Sequence, residues 1–587
     1  SSMQRIDWRV RIALAILSGA FISAAATEQP PASLPHLERQ GNATRLIVDG
    51  KPFLALAGEL GNNTASSLEN MVPLWDRLVS GNLNCVLAAV SWAQVEPVEG
   101  RFEFKLVDGL IDEARAHNLR LVFLWFGSWK NGLSSYAPYW VKADYKRFPR
   151  IRLGNGRSME ILSTFGEASR EADARAFAAL MRHIREVDGQ HRTVIMMQVE
   201  NEVGVLRDSR DRSPEAEHAF AGAVPAQLMD YLVKHRDTLA PELRDAWAAH
   251  GSRESGTWEQ VFGPGKPSDV AMPIHTTTPP LSAEEREAAW HKMTWASDEA
   301  FMAWNYARYI GSVIRAGKAE YNLPMFVNGW LQQPNTAWPG TFPSGGPLPQ
   351  VHDVWRAGGA ADIFSPDIYI PQFDETCARF TRNGNPLFIP ETGVNPLNVF
   401  VAFARFGAIG YSPFFIERSV GPDTGLAAAY RAIENLAPAI SARQGSDGIA
   451  AVRMKTGDDP LVLHLGGYTF ELRFVGHGRV PISPEPATER QAAGTPGQGA
   501  PVEGSAILAA GEPNEFFMGA IGGAFRVSIT PGTPGPSTAG LGDIQEGRFV
   551  DGKWTVLRQL GGDDTGQGEI LSIRANQTLR LTLYRYE

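Results

Sequence analysis

Hydrophobic and polar residues alternate in two distinct patterns between residues 44 and 440. Short apolar or β-branched runs recur, and each is followed by a longer segment with helical periodicity. The runs with the length and composition of strands are Phe53–Leu60, Asn82–Trp92, Leu119–Gly127, Thr193–Glu202, Met325–Trp330, Ile363–Ile370, Pro386–Gly393 and Phe406–Glu417. Strands that alternate with helices form parallel sheets, and eight such units predict an α/β fold, a (β/α)8 TIM barrel. An open doubly wound sheet is the alternative, which the absence of GxGxxG after the first strand disfavours.

The pattern changes beyond residue 440. Strand-like runs are separated there by turns rich in glycine and proline, and few helical patterns occur. The runs are Leu461–Leu465, Phe470–Val475, Phe525–Ile529 and Thr578–Tyr584. The sequence therefore predicts an all-β, sandwich-like accessory domain over 441–587, after a barrel over 44–440.

A long segment, 203–320, interrupts the barrel between the fourth and fifth candidate strands. It contains amphipathic stretches at 226–249 and 297–321, with a stretch rich in Gly, Pro, Ser and Thr between them. Loops that follow barrel strands lie at the carboxyl-terminal face, where barrel enzymes have their active sites. We therefore expect this insertion to form a wall or lid over a pocket at that face.

The N-terminal segment has the order of regions found in a secretory signal peptide. Three arginines precede an apolar run, 12–22, and small residues follow it. We expect residues 1–26 to be the signal, with Ser1 and Ser2 left from cloning, and residues 27–43 to be a leader. The apolar run is shorter than the ~20 residues that span a bilayer. These features predict a periplasmic or secreted protein that makes no membrane contact after signal cleavage.

Composition narrows the range of functions. A length of 587 residues indicates two or three domains, and 29 Phe, 15 Trp and 13 Tyr exclude disorder throughout. The net charge of −9 and the lack of a basic tract argue against nucleic acid as a partner. Cys85 and Cys377 are too few for a disulfide framework or a Cys-rich zinc site, and they are either bonded to each other or free.

The fourth candidate strand ends in acidic residues. The sequence Gln198–Gly204 directly follows an apolar run, 194–197, so its carboxylates come at the end of a buried strand. Barrel enzymes carry their catalytic groups at such ends. Glu200 and Glu202 face the same side if the strand stays regular. Neighbouring carboxylates repel each other and raise a pKa, which suits a general acid, whereas the alternative is an exposed acidic loop.

The seventh candidate strand also ends in a carboxylate. Glu391 follows the apolar run 386–390 and precedes a turn at Gly393, and alone it is equally compatible with a structural ion pair. Together with Glu202 it gives the carboxylate pair that glycoside hydrolysis requires. One group protonates the leaving oxygen, and the other attacks the anomeric carbon or activates water. This chemistry requires no metal or organic cofactor, and the sequence contains no HExxH, P-loop or clustered Cys and His.

Aromatic residues are dense near the same strand ends. They are Trp92, Trp125, Trp129, Trp330 and Tyr369. Aromatic faces stack on the apolar C–H faces of sugars, so five of them near one rim favour a carbohydrate site, although each alone is also typical of a core. Polar candidates for binding sugar hydroxyl groups are Glu59, Asn328, Asp362 and Asp367.

Three segments resemble the family 35 β-galactosidases, which are retaining glycosidases in the clan of (β/α)8 enzymes. Residues 198–204, Gln-Val-Glu-Asn-Glu-Val-Gly, closely resemble the acid/base signature of that family. Residues 46–60 are similar to its opening hairpin and first strand, and residues 92–104 resemble a second-strand segment shared by families 35 and 42. The resemblance covers residues 44–420, and the accessory domain looks like that of bacterial branches of the family.

The resemblance implies roles for four residues. Glu202 would be the acid/base and Asn201 would contact the sugar 2-hydroxyl, while Glu391 would be the nucleophile, hydrogen-bonded by Tyr369. It implies a retaining exo-β-galactosidase that removes terminal β-D-galactosyl groups from oligo- or polysaccharides. Export favours plant polysaccharide side chains such as those of xyloglucan as the substrate. The insertion favours a closed pocket over the open cleft of an endo-glycanase.

Two departures from the family pattern concern the sugar. Ala89 occupies the position of a typical tyrosine in strand two, and residues 124–129 replace the strand-three Cys-Ala-Glu-Trp signature, whose Glu contacts galactose. The chemistry is therefore better supported than the sugar. The alternatives are a family 42-like β-galactosidase, a β-glucosidase, an endo-glycanase, or a non-catalytic carbohydrate-binding protein.

Overall fold

The structure is a computed structural model that describes residues 33–267, 270, 272, 282–334, 336–477 and 502–587. The expected signal peptide, 1–26, lies outside the described residues. The expected leader, 27–43, differs from the structure where it is described. His36–Gln40 is a strand that pairs with Ala43–Val48, which in turn pairs with Lys51–Pro52. This hairpin is ordered because Leu46 and Val48 pack into the barrel interior.

Eight parallel strand positions form the barrel, which confirms the predicted fold class. The strands are Ala55–Glu59, Cys85–Ser91, Arg120–Lys130, Val194–Asn201, Met325–Trp330, Ile363–Ile368, the two short pieces Phe388–Ile389 and Glu391–Thr392, and Gly410–Tyr411. Pro390 separates the two pieces of strand seven because proline has no N–H to donate to the ladder. The first piece pairs with strand eight and the second with strand six, while strand eight also pairs with strand one, so the barrel closes.

Helices cover the outside of the barrel. They are Leu68–Met71, Trp75–Ser80, Trp92–Val95, Lys105–Ala116, Tyr139–Ala143, Glu167–Asp188, Pro214–Ala221, Ala226–Lys234, Pro241–Ala248, Trp258–Phe262, Ala283–Trp290, Ala296–Glu320, His352–Gly358, Phe373–Phe380, Leu397–Arg405 and Gly425–Arg443. Ala296–Glu320 packs along Glu167–Asp188 as the helix between strands four and five. The insertion therefore occupies 203–295 rather than 203–320.

Residues of strand two alternate between two apolar layers. In strand two, Cys85 and Leu87 contribute to the barrel interior, whereas Val86 and Ala88 pack in the layer between strands and helices. This alternation is the expected period of two in a strand that is buried on both faces. Cys85 and Cys377 are both buried and free.

Two antiparallel sheets follow the barrel. In chain order, their strands are Ile449–Lys455, Leu461–Leu465, Tyr468–Gly476, Glu503–Ala510, Glu515–Ile521, Ala524–Pro531, Thr538–Val550, Lys553–Leu560, Leu571–Ile573 and Thr578–Tyr586. The sheets share one apolar core, which makes the domain a sandwich. Its first strand packs against the barrel helix Leu397–Arg405. Among the described residues, no helix is both long and apolar enough to cross a membrane.

Candidate active site

The carboxyl-terminal ends of the barrel strands surround a cavity of about 410 Å³. Seven of the eight strands contribute to its wall, at their last residues or in the loop that follows. The lining residues are Asn62, Lys130, Asn131, Glu202, Trp330, Leu331, Gln333, Asp367, Tyr369, Ile370, Glu391 and Phe414. No described residue of the insertion, 203–295, is among them. The expectation that the insertion walls the pocket is therefore wrong for its described part.

The two carboxylates predicted from strands four and seven meet in this cavity. One oxygen each of Glu202, Glu391 and Asp367 lie within 4.8 Å of one another. Retaining glycosidases hold their two carboxyl groups about 5–5.5 Å apart, whereas inverting enzymes leave roughly 6.5–9.5 Å for a water molecule. The close approach therefore fits double displacement. These oxygens could also ligate a metal ion, but three ligands fall short of the roughly six that Mg²⁺ or Ca²⁺ takes.

Glu391 accepts a hydrogen bond at one of its two carboxylate oxygens. The hydroxyl of Tyr369 donates a hydrogen bond to its Oε2 over 2.9 Å. Glu59, at the end of strand one, is fully buried beside it, and burial together with the charge of Glu391 raises the pKa of Glu59 well above its usual range. A protonated Glu59 is able to donate a second hydrogen bond to Glu391. Hydrogen bonds to a charged carboxylate stabilise it, which suits a nucleophile.

Glu202 lies just beyond strand four, in a left-handed backbone conformation with a φ of 47°. Its amide donates to Oδ1 of Asn328 over 3.0 Å, which attaches this residue to strand five. Burial raises the pKa of Glu202 to about 7, and the negative charge of Glu391 adds to this effect. A carboxyl group that keeps its proton up to neutral pH is suited to general acid catalysis.

A third carboxyl group, that of Asp367 in strand six, lies beside the other two. Asn328 donates to its Oδ2 over 2.6 Å, while its Oδ1 has no hydrogen-bond partner in the described part of the chain. Burial and the charges of Glu391 and Glu202 raise the pKa of Asp367 well above its usual range. Asp367 therefore holds a proton more tightly than an exposed aspartic acid does, and it lies where it can hydrogen-bond with Glu202 or with a substrate hydroxyl group.

Asn201 and Lys130 form a polar pair next to the carboxylates. The ammonium group of Lys130 donates to Oδ1 of Asn201 over 3.0 Å and to Oδ1 of Asn131 over 2.7 Å. The buried Nδ2 of Asn201 has no partner among the described residues, so it is free to donate to a bound hydroxyl group. The positive charge of Lys130 acts to lower the pKa of Glu59 and of Glu202, against the larger effect of burial.

Glu200 faces away from the cavity, and the expectation that it shares a face with Glu202 is wrong. Both residues have a positive φ, 64° and 47°, so the regular alternation of the strand is lost at its end. Oε2 of Glu200 accepts a hydrogen bond from the amide of Trp129 over 2.9 Å. Burial and the neighbouring Asp173, on helix Glu167–Asp188, raise the pKa of Glu200 well above its usual range.

Glycine at position 127 makes room for this second carboxyl pair. A Cβ there would lie 2.4 Å from Nε1 of Trp125, 2.7 Å from Oε1 of Glu200 and 2.9 Å from Oδ1 of Asp173. Nε1 of Trp125 donates to Asp173 over 2.8 Å, and the amide of Ser128 donates to it over 3.1 Å. The pair of Glu200 and Asp173 is therefore sealed between strand three and a barrel helix.

Two of the five predicted aromatic residues, Trp330 and Tyr369, line the cavity. Trp92 and Trp129 are at most 1% exposed, and their indole N–H groups are hydrogen-bonded within the core. Trp125 is buried in the same layer. The expected sugar-binding role of Trp92 and Trp129 is corrected accordingly, because their rings point outward from the barrel into the layer beneath the helices.

The predicted polar candidates divide in the same way. Glu59, Asn328 and Asp367 cluster around the catalytic pair. Asp362 precedes strand six and accepts a hydrogen bond from the amide of Met325, so it lies at the opposite end of the barrel. It is also ion-paired with Lys318.

Sequence reasoning missed several lining residues. Lys130 could have been predicted from the sequence, because it ends an apolar strand in the same way as the predicted carboxylates do. Asn62, Gln333 and Phe414 lie in loops, where no periodic pattern indicates direction. Their place in the cavity wall becomes visible only once the closed barrel brings these loops together.

Comparison with known proteins gives two family matches. Residues 76–278 match the family model Beta-galactosidase of glycoside hydrolase family 42. This part of the barrel is therefore similar to a glycoside hydrolase domain. Residues 426–572 match a domain of unknown function (DUF5597). The first match includes Glu202 and ends before Glu391, and it does not confirm the resemblance to family 35. No curated protein matches the chain.

Several solved structures are similar to parts of the chain. One is the cold-adapted β-galactosidase from Rahnella sp. R3, at 16% identity and a TM-score of 0.41, covering 70% of this chain and 58% of that one. Another is the β-galactosidase from Bacillus circulans sp. alkalophilus, at 14% identity and a TM-score of 0.40, covering 65% of this chain and 56% of that one. A third is the catalytic domain of a β-amylase from Paenibacillus polymyxa, at 11% identity and a TM-score of 0.40. It covers 64% of this chain and 96% of that one. The chain spans less than two thirds of the length of both β-galactosidases.

Proposed function

We propose that the protein is an exported retaining exo-β-galactosidase, which removes terminal β-D-galactosyl groups from oligo- or polysaccharides. The observation that carries this proposal is the meeting of Glu202 and Glu391 within 4.8 Å in one cavity. The hydrogen bond that Glu391 accepts from Tyr369 supports its assignment as the nucleophile. The family match over residues 76–278 supports galactose as the sugar and is compatible with the family 42-like alternative.

The reaction proceeds in two steps. Glu391 attacks the anomeric carbon and forms a glycosyl ester, while protonated Glu202 gives its proton to the leaving glycosidic oxygen. Glu202, now charged, then removes a proton from water, which attacks the same carbon and releases the sugar and Glu391. Retention follows because each step inverts the anomeric centre once. Asn201 and Asp367 are placed to bind hydroxyl groups of the sugar.

Removal of single terminal sugars is supported by the shape of the cavity. Residues at the ends of strands one and three to eight, or in the loops that follow them, line it. A cleft that accepts the middle of a polysaccharide needs two open ends. Side-chain galactosyl groups of xyloglucan fit this description, because each is a terminal residue carried on a long neutral chain.

Turnover of nitrophenyl β-glycosides, with and without azide, tests the proposal. We expect the wild type to hydrolyse the β-galactoside in preference to the β-glucoside. Azide is expected to give β-galactosyl azide with Glu202→Ala, because the ester still forms, and α-galactosyl azide with Glu391→Ala. The same azide anomer from both variants would contradict the assigned roles, and preference for another sugar would contradict the substrate.

A further inference from the structure

A second cavity, of about 430 Å³, lies on the same face of the barrel as the catalytic cavity. A hairpin after strand three, Arg150–Arg152 paired with Ser158–Leu162, forms one side, and the start of helix Pro214–Ala221, after strand four, forms the other. The catalytic residues do not line it. It is therefore a site separate from the one described above.

The walls of this cavity are firmly held. The buried Asp211 accepts hydrogen bonds from the amide of Arg152 over 3.1 Å, from the hydroxyl of Ser163 over 2.7 Å and from the amide of Ser213 over 2.8 Å. One carboxylate thus joins both sides of the cavity. A site held in this way is formed before a ligand arrives, which lowers the entropic cost of binding.

The groups that face the cavity are those that bind sugars. Tyr145 is 67% exposed and lies with Phe165 in the lining, so an aromatic surface is available for the apolar face of a sugar ring. Arg152, Ser158 and Glu215 also line it, and the described residues offer their side chains no ion pair and no side-chain hydrogen bond. These donors and acceptors match the hydroxyl groups of a carbohydrate.

Charge distinguishes this cavity from the catalytic one. Among the described residues that line it, Glu215 is the only carboxylate. Hydrolysis requires two, so this cavity can bind a glycan without cleaving it. Arg150 is paired with Glu160, and Arg152 and Glu215 balance each other, which favours a neutral sugar over a polyanion.

A short connection joins the two cavities. Strand three ends at Lys130, in the catalytic cavity, and Leu133 hydrogen-bonds back to it. The next residue, Ser134, donates to the carbonyl of Glu160 and accepts from the amide of Leu162, both in the hairpin. We propose that the second cavity is a secondary glycan-binding site, which holds a neutral sugar unit of the polymer whose terminal galactosyl group is cleaved. This inference rests on the proposed function.

The double variant Tyr145→Ala/Arg152→Ala tests it, with Tyr139→Ala as the matched control. Tyr139 is a neighbouring tyrosine that is 81% exposed and does not line the cavity. We expect the double variant to raise KM for galactosylated xyloglucan by about tenfold and to leave kcat/KM for nitrophenyl β-galactoside unchanged. Equal losses on both substrates, or the same effect from Tyr139→Ala, would overturn the inference.

Binding provides a readout that is independent of turnover. In a Glu391→Gln background, retardation of the protein in gels that contain xyloglucan measures affinity alone. The added Tyr145→Ala/Arg152→Ala change is expected to reduce this retardation, and unchanged retardation would overturn the inference. If the wild type hydrolyses no galactoside, the proposed function fails, while the gel result still decides whether the second cavity binds glycan.

Discussion

Glu200 and Glu202 are two residues apart at the end of one strand, yet they belong to two different regions. Both are buried, and each lies beside a second carboxyl group, Asp173 for Glu200 and Glu391 for Glu202. Burial raises the pKa of both. Glu202, however, lines a cavity that a substrate can enter, whereas Glu200 is enclosed between strand three and a barrel helix.

The comparison shows that a perturbed pKa does not by itself identify a catalytic group. Desolvation acts on any buried carboxyl group, whether or not it meets a substrate. Access to a cavity, together with a partner held at reacting distance, distinguishes Glu202. Glu200 instead bonds the backbone at Trp129 and helps hold the end of strand three, from which Lys130 reaches the cavity.

The largest expected effect is on activity, and it distinguishes the pair of Glu202 and Glu391 from the pair of Glu200 and Asp173. Glu391→Gln and Glu202→Gln should each reduce kcat for a natural galactoside by roughly 10³- to 10⁵-fold, because they remove the proposed nucleophile and the proposed acid. Glu200→Gln should retain activity within about threefold, because an amide can accept from Trp129 and donate to Asp173. The three variants have the same shape and differ only in position. A loss for Glu200→Gln comparable with the others would contradict the division.

The second-largest expected effect is on the free energy of unfolding, and it distinguishes Glu200 from Glu202. Glu200→Ala leaves the amide of Trp129 without its acceptor and opens a cavity, so we expect the free energy of unfolding to fall by about 3 kcal/mol. Glu202→Ala should be neutral or stabilising, because it removes a buried carboxyl group that lies beside the carboxylate of Glu391 and lines an open cavity. Urea unfolding followed by tryptophan fluorescence measures both. Equal destabilisation by the two changes would contradict the assignment of a structural role to Glu200.

The sequence predicts the barrel because its strands are buried on both faces and read as continuous apolar runs. The same property places Glu202 and Glu391 correctly, since each directly follows such a run. Pro390 fits this pattern as well, because it interrupts strand seven at the point where this strand changes its partner from strand eight to strand six.

Side-chain direction at the strand ends could not be predicted. It depends on positive φ values at Glu200 and Glu202, which the residue types do not encode. Their positions along the chain predict Trp92 and Trp129 in the pocket, but both side chains are buried in the layer between the strands and the helices. The insertion lies after the correct strand, and its described part nevertheless lines no part of the cavity.

A third effect compares Glu202 with Glu299, a buried residue that also has a pKa raised to about 7 by burial. Glu299 accepts a hydrogen bond from Gln350 and lies outside the lining of the catalytic cavity. A carboxyl group with a raised pKa binds its proton more tightly in the folded state. Its contribution to stability is therefore full below about pH 4.5 and is lost as the pH rises towards about 7.

Glu299→Gln should remove this loss. The free energy of unfolding is measured at about pH 4.5 and about pH 7.5 for both proteins. We expect its fall between these pH values to be smaller in the variant than in the wild type by roughly 2 kcal/mol. The pH profile of activity should stay the same. A changed activity profile would indicate that Glu299 communicates with the catalytic pair.

The smallest expected effect is a shift in the pKa of Glu202. In the wild type, kcat/KM should decline as the pH rises above about 7, because the acid loses its proton. Glu391→Gln removes the neighbouring negative charge but leaves Glu202 buried, and burial is the larger cause of the raised pKa. We therefore expect the pKa of Glu202 in this variant to fall by about one unit, rather than to return to its usual range. Carbon-13 NMR of labelled glutamate reports this titration without turnover, with Glu299→Gln as the control that should leave it unchanged. A pKa that does not move would contradict the electrostatic coupling of Glu202 to Glu391.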